Sequence, residues 1–287
     1  MSELICTAAT CIGSGIAQSV VNSLRAASLP VRLIGFGDQP FDYGALDCDE
    51  HHRVPPISSP DYVDVLLEKC QDAGVHVIIP GLDQDVLALS AAQARFQRAG
   101  IHLIAPPHQL AALCRDKEQL SLRLREAGAP FVPTFSKRSL EGGLTRGEIS
   151  LPCVAKPRDG SGSQGVRLIE RLEEIDHFSE RMVFQPLLRP ARCDRYFDPF
   201  QEAVENGKVP QYAELSVQVV TGREGELLGR MATINNLKRG VPVQIFPAES
   251  REIWESAERV REALSGLGLR GPLNIQGRIT EKGVRLF

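Results

Sequence analysis

Over its first third the chain alternates short apolar runs with stretches of helical periodicity. Residues 4–9, 31–36, 75–80 and 101–105 are apolar runs of strand length. Between them, Ala17, Val20, Val21 and Leu24 recur at i, i+3, i+4, i+7, and Val63, Leu66, Leu67 and Cys70 repeat that spacing. Leu82, Val86, Leu89 and Phe96 continue it approximately. Strands alternating with amphipathic helices predict a parallel sheet covered by helices on its faces.

Pro106-Pro107 breaks this pattern and marks a linker, with the first domain ending near residue 112. A helix follows, with Leu113, Leu120, Leu124 and Ala127 on one face, Asp116 and Lys117 along it, and Gly128 as its stop. Residues 131–185 then read as strand, loop, strand, glycine hairpin, a helix at 172–182 and a strand at 182–185. Residues 189–211 read as irregular, with Arg189, Arg192, Arg195, Tyr196 and Phe197. Residues 212–221 and 226–234 predict a hairpin around 222–225. Residues 250–267 predict an amphipathic helix with Ile253, Ala257, Val260, Leu264 and Leu267 on one face. A last hairpin runs from 273–279 to 284–287 around a turn at 280–283. There, Ile279 opposite Val284 would set Gln276 opposite Phe287.

The 287 residues allow about two domains, and 43% hydrophobic content can build their cores. A formal charge of −3 gives no reason to expect a nucleic-acid partner. No apolar run reaches the roughly 18 residues of a membrane span, and Glu3 replaces the basic start of a signal peptide. Seven dispersed Cys with no C-x-x-C imply reduced thiols and a cytoplasmic protein. Residues 47–52, Asp-Cys-Asp-Glu-His-His, could suggest a metal site. They are read instead as a solvated loop, since adjacent side chains in an extended segment point apart.

The chemistry concentrates at residues 153–169, where Lys156 ends an apolar run and Gly160, Ser161, Gly162, Ser163, Gln164 and Gly165 follow. Glycine and serine let backbone N–H groups approach an anion, and the lysine adds a full positive charge. Together they suit the phosphates of a nucleotide. The glycines spell G-x-G-x-x-G, but a strand follows them where the dinucleotide fingerprint needs a helix. A glycine hairpin folding over phosphates is the better picture. Residues 12–15, Ile-Gly-Ser-Gly, with Asp38 after the second strand, look like half a dinucleotide site, but Gln18 stands where its third glycine belongs. A tight turn with no dinucleotide is favoured there. Residues 80–83 end the third strand and suit either a substrate edge or an N-cap by Asp83.

Five stretches in order resemble the ATP-grasp superfamily, in the branch of the carbamoyl phosphate synthetase large subunit and related carboxylate–amine ligases. They are Cys114-Arg115-Asp116-Lys117; Gly128-Ala129-Pro130 before Pro133-Thr134; Val154-Ala155-Lys156-Pro157 with the glycine loop; Glu214-Leu215-Ser216-Val217; and Gly271-Pro272-Leu273-Asn274-Ile275-Gln276. The resemblance implies α/β followed by α+β. A Rossmann-like pre-ATP-grasp domain (1–112) would precede an ATP-grasp domain (113–287), with a lid at about 130–185 and a larger antiparallel-sheet subdomain at 186–287. It implies ATP and Mg²⁺ as cofactors, small-molecule carboxylate and amine substrates, and allows a homodimer. Lys117 and Lys156 then resemble phosphate-binding lysines, and residues 160–165 the loop that closes over the phosphates. Gln185, Pro186, Leu187 and Leu188 resemble the hinge whose backbone reads adenine, Glu214 the ribose acid, and Gln276 a metal-side residue.

The chain departs from the family pattern at Gln185, usually Glu, and in the long segment 189–211. The family's magnesium carboxylate and E-x-N motif would fall directly after Phe287, so the expectation is a longer native protein and a 287-residue chain inactive by itself. The ligase reading makes Arg230, Lys238, Arg239 and Arg278 candidates to hold an acyl phosphate. Two alternatives stay open: a nucleotide-binding module without chemistry, and an NAD-dependent oxidoreductase using residues 12–38.

Overall fold

The computed structural model describes residues 4–160 and 162–287; Ser161, one of the expected loop contacts, lies outside the described residues. The chain divides into two compact units, Met1–Ala111 and Ala112–Phe287. No helix among the described residues is long and apolar enough to cross a membrane.

In the first unit, β1 (Ile5–Ala9), α1 (Gly15–Ala26), β2 (Val31–Gly37), β3 (Glu50–Arg53), α2 (Tyr62–Asp72), β4 (Val77–Ile79), α3 (Asp83–Ala91), α4 (Gln93–Arg98) and β5 (His102–Leu103) follow in order. The sheet is wholly parallel, in the order β3-β2-β1-β4-β5. Ala17 and Val21 of α1 pack with Ala9, Ile12 and Leu33 on one face. Leu66, Cys70, Leu89 and Phe96 pack with Ala8, Ile34, Phe36 and Ile78 on the other. Both faces are therefore covered, as the near-continuous apolar runs require.

Three expectations for this unit need correction. Residues 50–53 are a strand, which the charged sequence Glu-His-His-Arg concealed because it is an edge strand. The third helical stretch breaks at Ala92 into α3 and α4. Asp83 begins α3 and does not cap it; Leu82 stands at the cap without a side-chain bond. The polar group that organises this turn is Asp85, fully buried, which accepts hydrogen bonds from Tyr62 Oη (2.6 Å) and from Thr10. Thr10 Oγ1 in turn accepts from Gly81 N (3.1 Å). Burial pushes the Asp85 carboxyl above its usual range, the hydrogen bonds opposing.

The glycine turn after β1 is crowded at Gly13 and open at Gly15, where an added Cβ would meet nothing within 4 Å. A side chain at Gly13 or Gly37 would collide with the Asp42 carboxylate, and one at Gly44 with the Ile12 carbonyl. In the segment once considered for metal, His51 faces Asp42 (3.5 Å) and His52 faces Glu50 (3.2 Å). The described residues contain no cluster of three His, Cys, Asp or Glu able to hold a metal.

α5 (His108–Arg115) runs across the division between the units. The second unit continues with α6 (Lys117–Glu126), β6 (Phe135–Ser136), α7 (Lys137–Thr145), β7 (Cys153–Pro157), β8 (Arg167–Ile169) and β9 (Met182–Pro186). Then come α8 (Phe197–Glu205), β10 (Glu214–Thr221), β11 (Leu227–Lys238), β12 (Val241–Pro247), α9 (Arg251–Ser265), β13 (Gly271–Thr280) and β14 (Gly283–Leu286). A four-stranded antiparallel sheet, β6-β9-β7-β8, encloses Phe135, Leu140, Cys153, Ala155, Ile169 and Phe184. A five-stranded antiparallel sheet, β12-β11-β10-β13-β14, packs against α9, whose Ile253, Ala257, Val260 and Leu264 are buried.

Here too the periodicity misled. The helix expected through Asp116 and Lys117 is two helices, because the Asp116 carboxylate caps α6 by accepting from the N–H groups of Glu118 and Gln119 (both 3.1 Å). α7 was read as loop. The helix expected over 172–182 is only a 3-10 helix, Leu172–His177. Residues 189–211 contain α8, anchored by buried Phe200 and Val204, one turn apart. Its Pro199 lies in the first turn, where no N–H is needed. β12 was missed altogether; as an edge strand it keeps Val241, Val243 and Ile245 exposed, and prolines interrupt its pattern.

Candidate active site

Strand alternation builds a cleft within the second unit. In β7, Cys153 and Ala155 enter the core, so Val154 and Lys156 turn to the other side and line the cleft. In β10, Leu215 is buried and Glu214 faces the cleft; in β13, Gln276 and Arg278 share its face. Ser216 pairs with Gln276 and Leu215 with Gly277, so Glu214 falls opposite Arg278 one step further on. The hinge Pro186, Leu187 and Leu188, the loop residues Gly160, Gly162, Ser163 and Gln164, and Lys117 complete most of the wall.

Lys156 stands out electrostatically. Among the described residues its ammonium makes no hydrogen bond or ion pair; the Phe287 ring lies 4.1 Å from it. Burial pulls its pKa well below the ordinary lysine range, Glu214 pulls it back up, and Lys117 and Arg278 add to the depression. Burial likewise raises Glu214, against the pull of Arg278 and Lys156. Lys117 Nζ donates to the carbonyls of Gly160 (2.7 Å) and Pro157 (3.0 Å), so it holds the first half of the glycine loop. Its place is fixed by Arg158, which pairs with Asp116 (2.9 Å) and Glu118 (3.0 Å) across the start of α6. That clamp went unread in the sequence, although Asp116 before Lys-Glu is a cap signature and Arg158 follows Lys156-Pro157.

The glycine loop needs left-handed backbone at Gly162 (φ 63°) and Gly165 (φ 71°), and Ser163 shares it (φ 56°). The turn between β11 and β12 meets this loop: a side chain at Gly240 (φ 77°) would strike the Gly162 carbonyl. Gln211, also unread in the sequence, accepts from Gly240 N (3.3 Å) and lines the cleft with Val209 and Pro210.

The four candidate cations for an acyl phosphate are not brought together. Arg230 lies on the opposite face of the large sheet, its guanidinium 4.3 Å over Trp254, because it pairs with Val219 on the α9 side. Lys238 and Arg239 belong to the β11–β12 turn and do not line the cleft. Arg278 does line it, but is 5% exposed and donates from Nη1 to Leu188 O (2.8 Å) and from Nη2 to Tyr212 O (3.0 Å). It braces the hinge against β10. The Gln185 side chain donates to Thr134 Oγ1 (2.8 Å) and leaves its own Oε1 buried without a partner. Gln276 is exposed to the cleft, and its carbonyl accepts from Phe287 N (3.0 Å), as the hairpin register requires.

Residues 13–104 match the family model described as PylC-like, N-terminal domain. The formate-dependent phosphoribosylglycinamide formyltransferase of Bacteroides thetaiotaomicron is 25% identical over 238 residues, covering 78% of this chain and 58% of that protein. The chain thus spans little more than half the length of that relative. The structure superposes on N5-carboxyaminoimidazole synthetase from Staphylococcus aureus, solved with ADP, with a TM-score of 0.72 at 14% identity over 99% of this chain and 69% of that one. It also superposes on the biotin carboxylase domain of Hydrogenobacter thermophilus 2-oxoglutarate carboxylase, solved with MgADP, ADP and bicarbonate. There the TM-score is 0.70 at 17% identity, over 98% of this chain and 62% of that one. A parallel-sheet unit followed by two antiparallel sheets flanking a lysine-lined cleft is the pre-ATP-grasp and ATP-grasp arrangement, and the chain has the ATP-grasp fold.

Proposed function

We propose that this chain carries the nucleotide site of an ATP- and Mg²⁺-dependent ligase that joins a carboxylate to an amine or ammonia. The observation that carries the reading is the buried ammonium of Lys156, which has no hydrogen-bond acceptor among the described residues and sits beside a glycine loop. A buried cation without an acceptor is costly unless an anion arrives to pair with it. Bound ATP would supply a γ-phosphoryl group that turns the carboxylate into an acyl phosphate, from which the amine displaces phosphate. For the chain's part, Lys156 and Lys117 neutralise phosphate charge, loop N–H groups orient it, the hinge backbone meets the base, and Glu214 accepts from ribose hydroxyls. Toward Mg²⁺ the fit is partial. Gln276 offers one neutral oxygen, and Glu214 is the single carboxylate among the described lining residues, fewer hard oxygen donors than Mg²⁺ favours.

One observation favours a second reading, nucleotide binding without chemistry: Arg230, Lys238 and Arg239 lie outside the cleft, and Arg278 is engaged by carbonyls. Phosphate release from ATP, measured against a panel of carboxylates and amines, separates the two. Release that needs both an acid and an amine, and that disappears in Lys156→Ala, supports the ligase. ATP binding with no acid-dependent release supports the second reading.

A further inference from the structure

A second, open cleft adjoins the hinge, wholly within residues 112–287, with a volume of about 900 Å³. It shares a wall with the nucleotide cleft, because Pro186, Leu187 and Leu188 line both. Five cations line it: Arg125, Arg189, Arg192, Lys282 and Arg285. Among the described residues none of the five is within ion-pair distance of a carboxylate: Arg125 acts on Glu148 only at longer range, Arg189 donates to Gln201 Oε1, and Arg285 donates to Val284 O (2.8 Å). Of the two lining carboxylates, Glu148 pairs with Arg146 (2.9 Å), outside the lining, and Glu281 accepts from the backbone N–H of Arg192 (2.5 Å). The walls are tied together. Ala191 N donates to Ile279 O (3.1 Å), which joins the segment after the hinge to the β13–β14 turn. Phe131, Val132 and Phe197 make part of the lining apolar.

Its volume is within the range of small-molecule sites, and its five cations outnumber its two carboxylates. We propose that this second cleft binds a small polyanion, a phosphorylated or polycarboxylate metabolite, and that its occupancy changes nucleotide affinity through the shared hinge. The hinge is a credible coupling element because Arg278 already fixes the Leu188 carbonyl from the cleft side. A ligand against the same three residues couples to the nucleotide by favouring one arrangement of them over another.

The test is calorimetry on the full chain in metal-free buffer, with citrate and pyrophosphate as probes. Saturable binding is expected for at least one of them, retained in Lys156→Ala and weakened about tenfold or more in Arg192→Ala/Arg285→Ala. The single exposed change Arg192→Gln provides a milder variant should the double one melt early. Citrate alone binding would identify carboxylates as the ligand chemistry, and pyrophosphate alone would identify phosphates. The bound probe should shift the Kd for ATP by about threefold or more in the wild type and not in the double variant. Three results overturn the proposal: no saturable binding up to about 1 mM, loss of binding in Lys156→Ala in place of the arginine variants, or an ATP Kd that the bound probe leaves unmoved.

Discussion

Lys156 concentrates the site's electrostatics in one residue. Its alkyl stem is placed by β7, and its ammonium waits for an acceptor. Lys156→Ala should weaken ATP binding by about 1.5–3 kcal/mol, the worth of a charge-assisted phosphate contact; calorimetry giving an unchanged Kd would refute the assignment. The depressed pKa makes a second, independent prediction. With its folded-state pKa lowered by burial, Lys156 is partly neutral in the free protein at mildly alkaline pH. A bound phosphate favours the charged form and raises that pKa, so binding must take up protons. Binding heats at about pH 8 in buffers of different ionisation enthalpy should show net proton uptake, absent in Lys156→Met. Affinity should fall as pH rises through the depressed pKa, since protonation then has to accompany binding.

At the scale of elements, the glycine loop is held by its neighbours on both sides. Lys117, locked by the Arg158 clamp, holds the loop's first carbonyls, and the β11–β12 turn touches Gly162. The cleft these elements leave has a volume of about 130 Å³, small for a nucleotide site, so ATP entry is expected to displace the loop. Amides at 162–166 should therefore exchange quickly in the free chain and slow with ATP; exchange indifferent to ATP would count against a closing loop. Gly240→Ala adds a side chain aimed at the Gly162 carbonyl and forces alanine into left-handed backbone, at about 1–2 kcal/mol. It should speed exchange across the loop and weaken ATP several-fold. α8 enters the same arrangement through Phe200, whose ring lies 4.8 Å from the Arg278 guanidinium. Phe200→Ala should destabilise the chain by about 3–5 kcal/mol, read as a lower denaturation midpoint with an unchanged slope.

For the whole molecule, ligand linkage offers the sharpest discrimination between readings. A ligand that binds only the folded chain stabilises it by about 2.7 kcal/mol at a hundredfold excess over Kd. ATP should raise the melting temperature and NAD should not, because Gln18 stands where the dinucleotide turn needs its third glycine and the Asp42 carboxylate crowds Gly13. A shift with NAD would revive the oxidoreductase alternative. Mg²⁺ should add little to the ATP shift, since Gln276 is a neutral ligand. A large Mg²⁺ increment would mean that stronger oxygen donors reach the metal.

Sequence periodicity alone determined the parallel α/β unit, the α9 amphipathic face and the final hairpin, because those patterns record which side of an element is buried. It also set Gln276 opposite Phe287, since a two-strand register can be counted along the chain. What it could not decide was which distant elements meet. Arg230 and Arg278 are both arginines on strands of one sheet, yet pairing with Val219 turns Arg230 toward Trp254, while Arg278 lies beneath the cleft. The Asp116–Arg158 clamp, Gln211 at the loop and the two clefts that share the hinge likewise join residues far apart in the chain. Local propensity carries no information about such meetings; they are fixed only when strand order and packing bring the segments together.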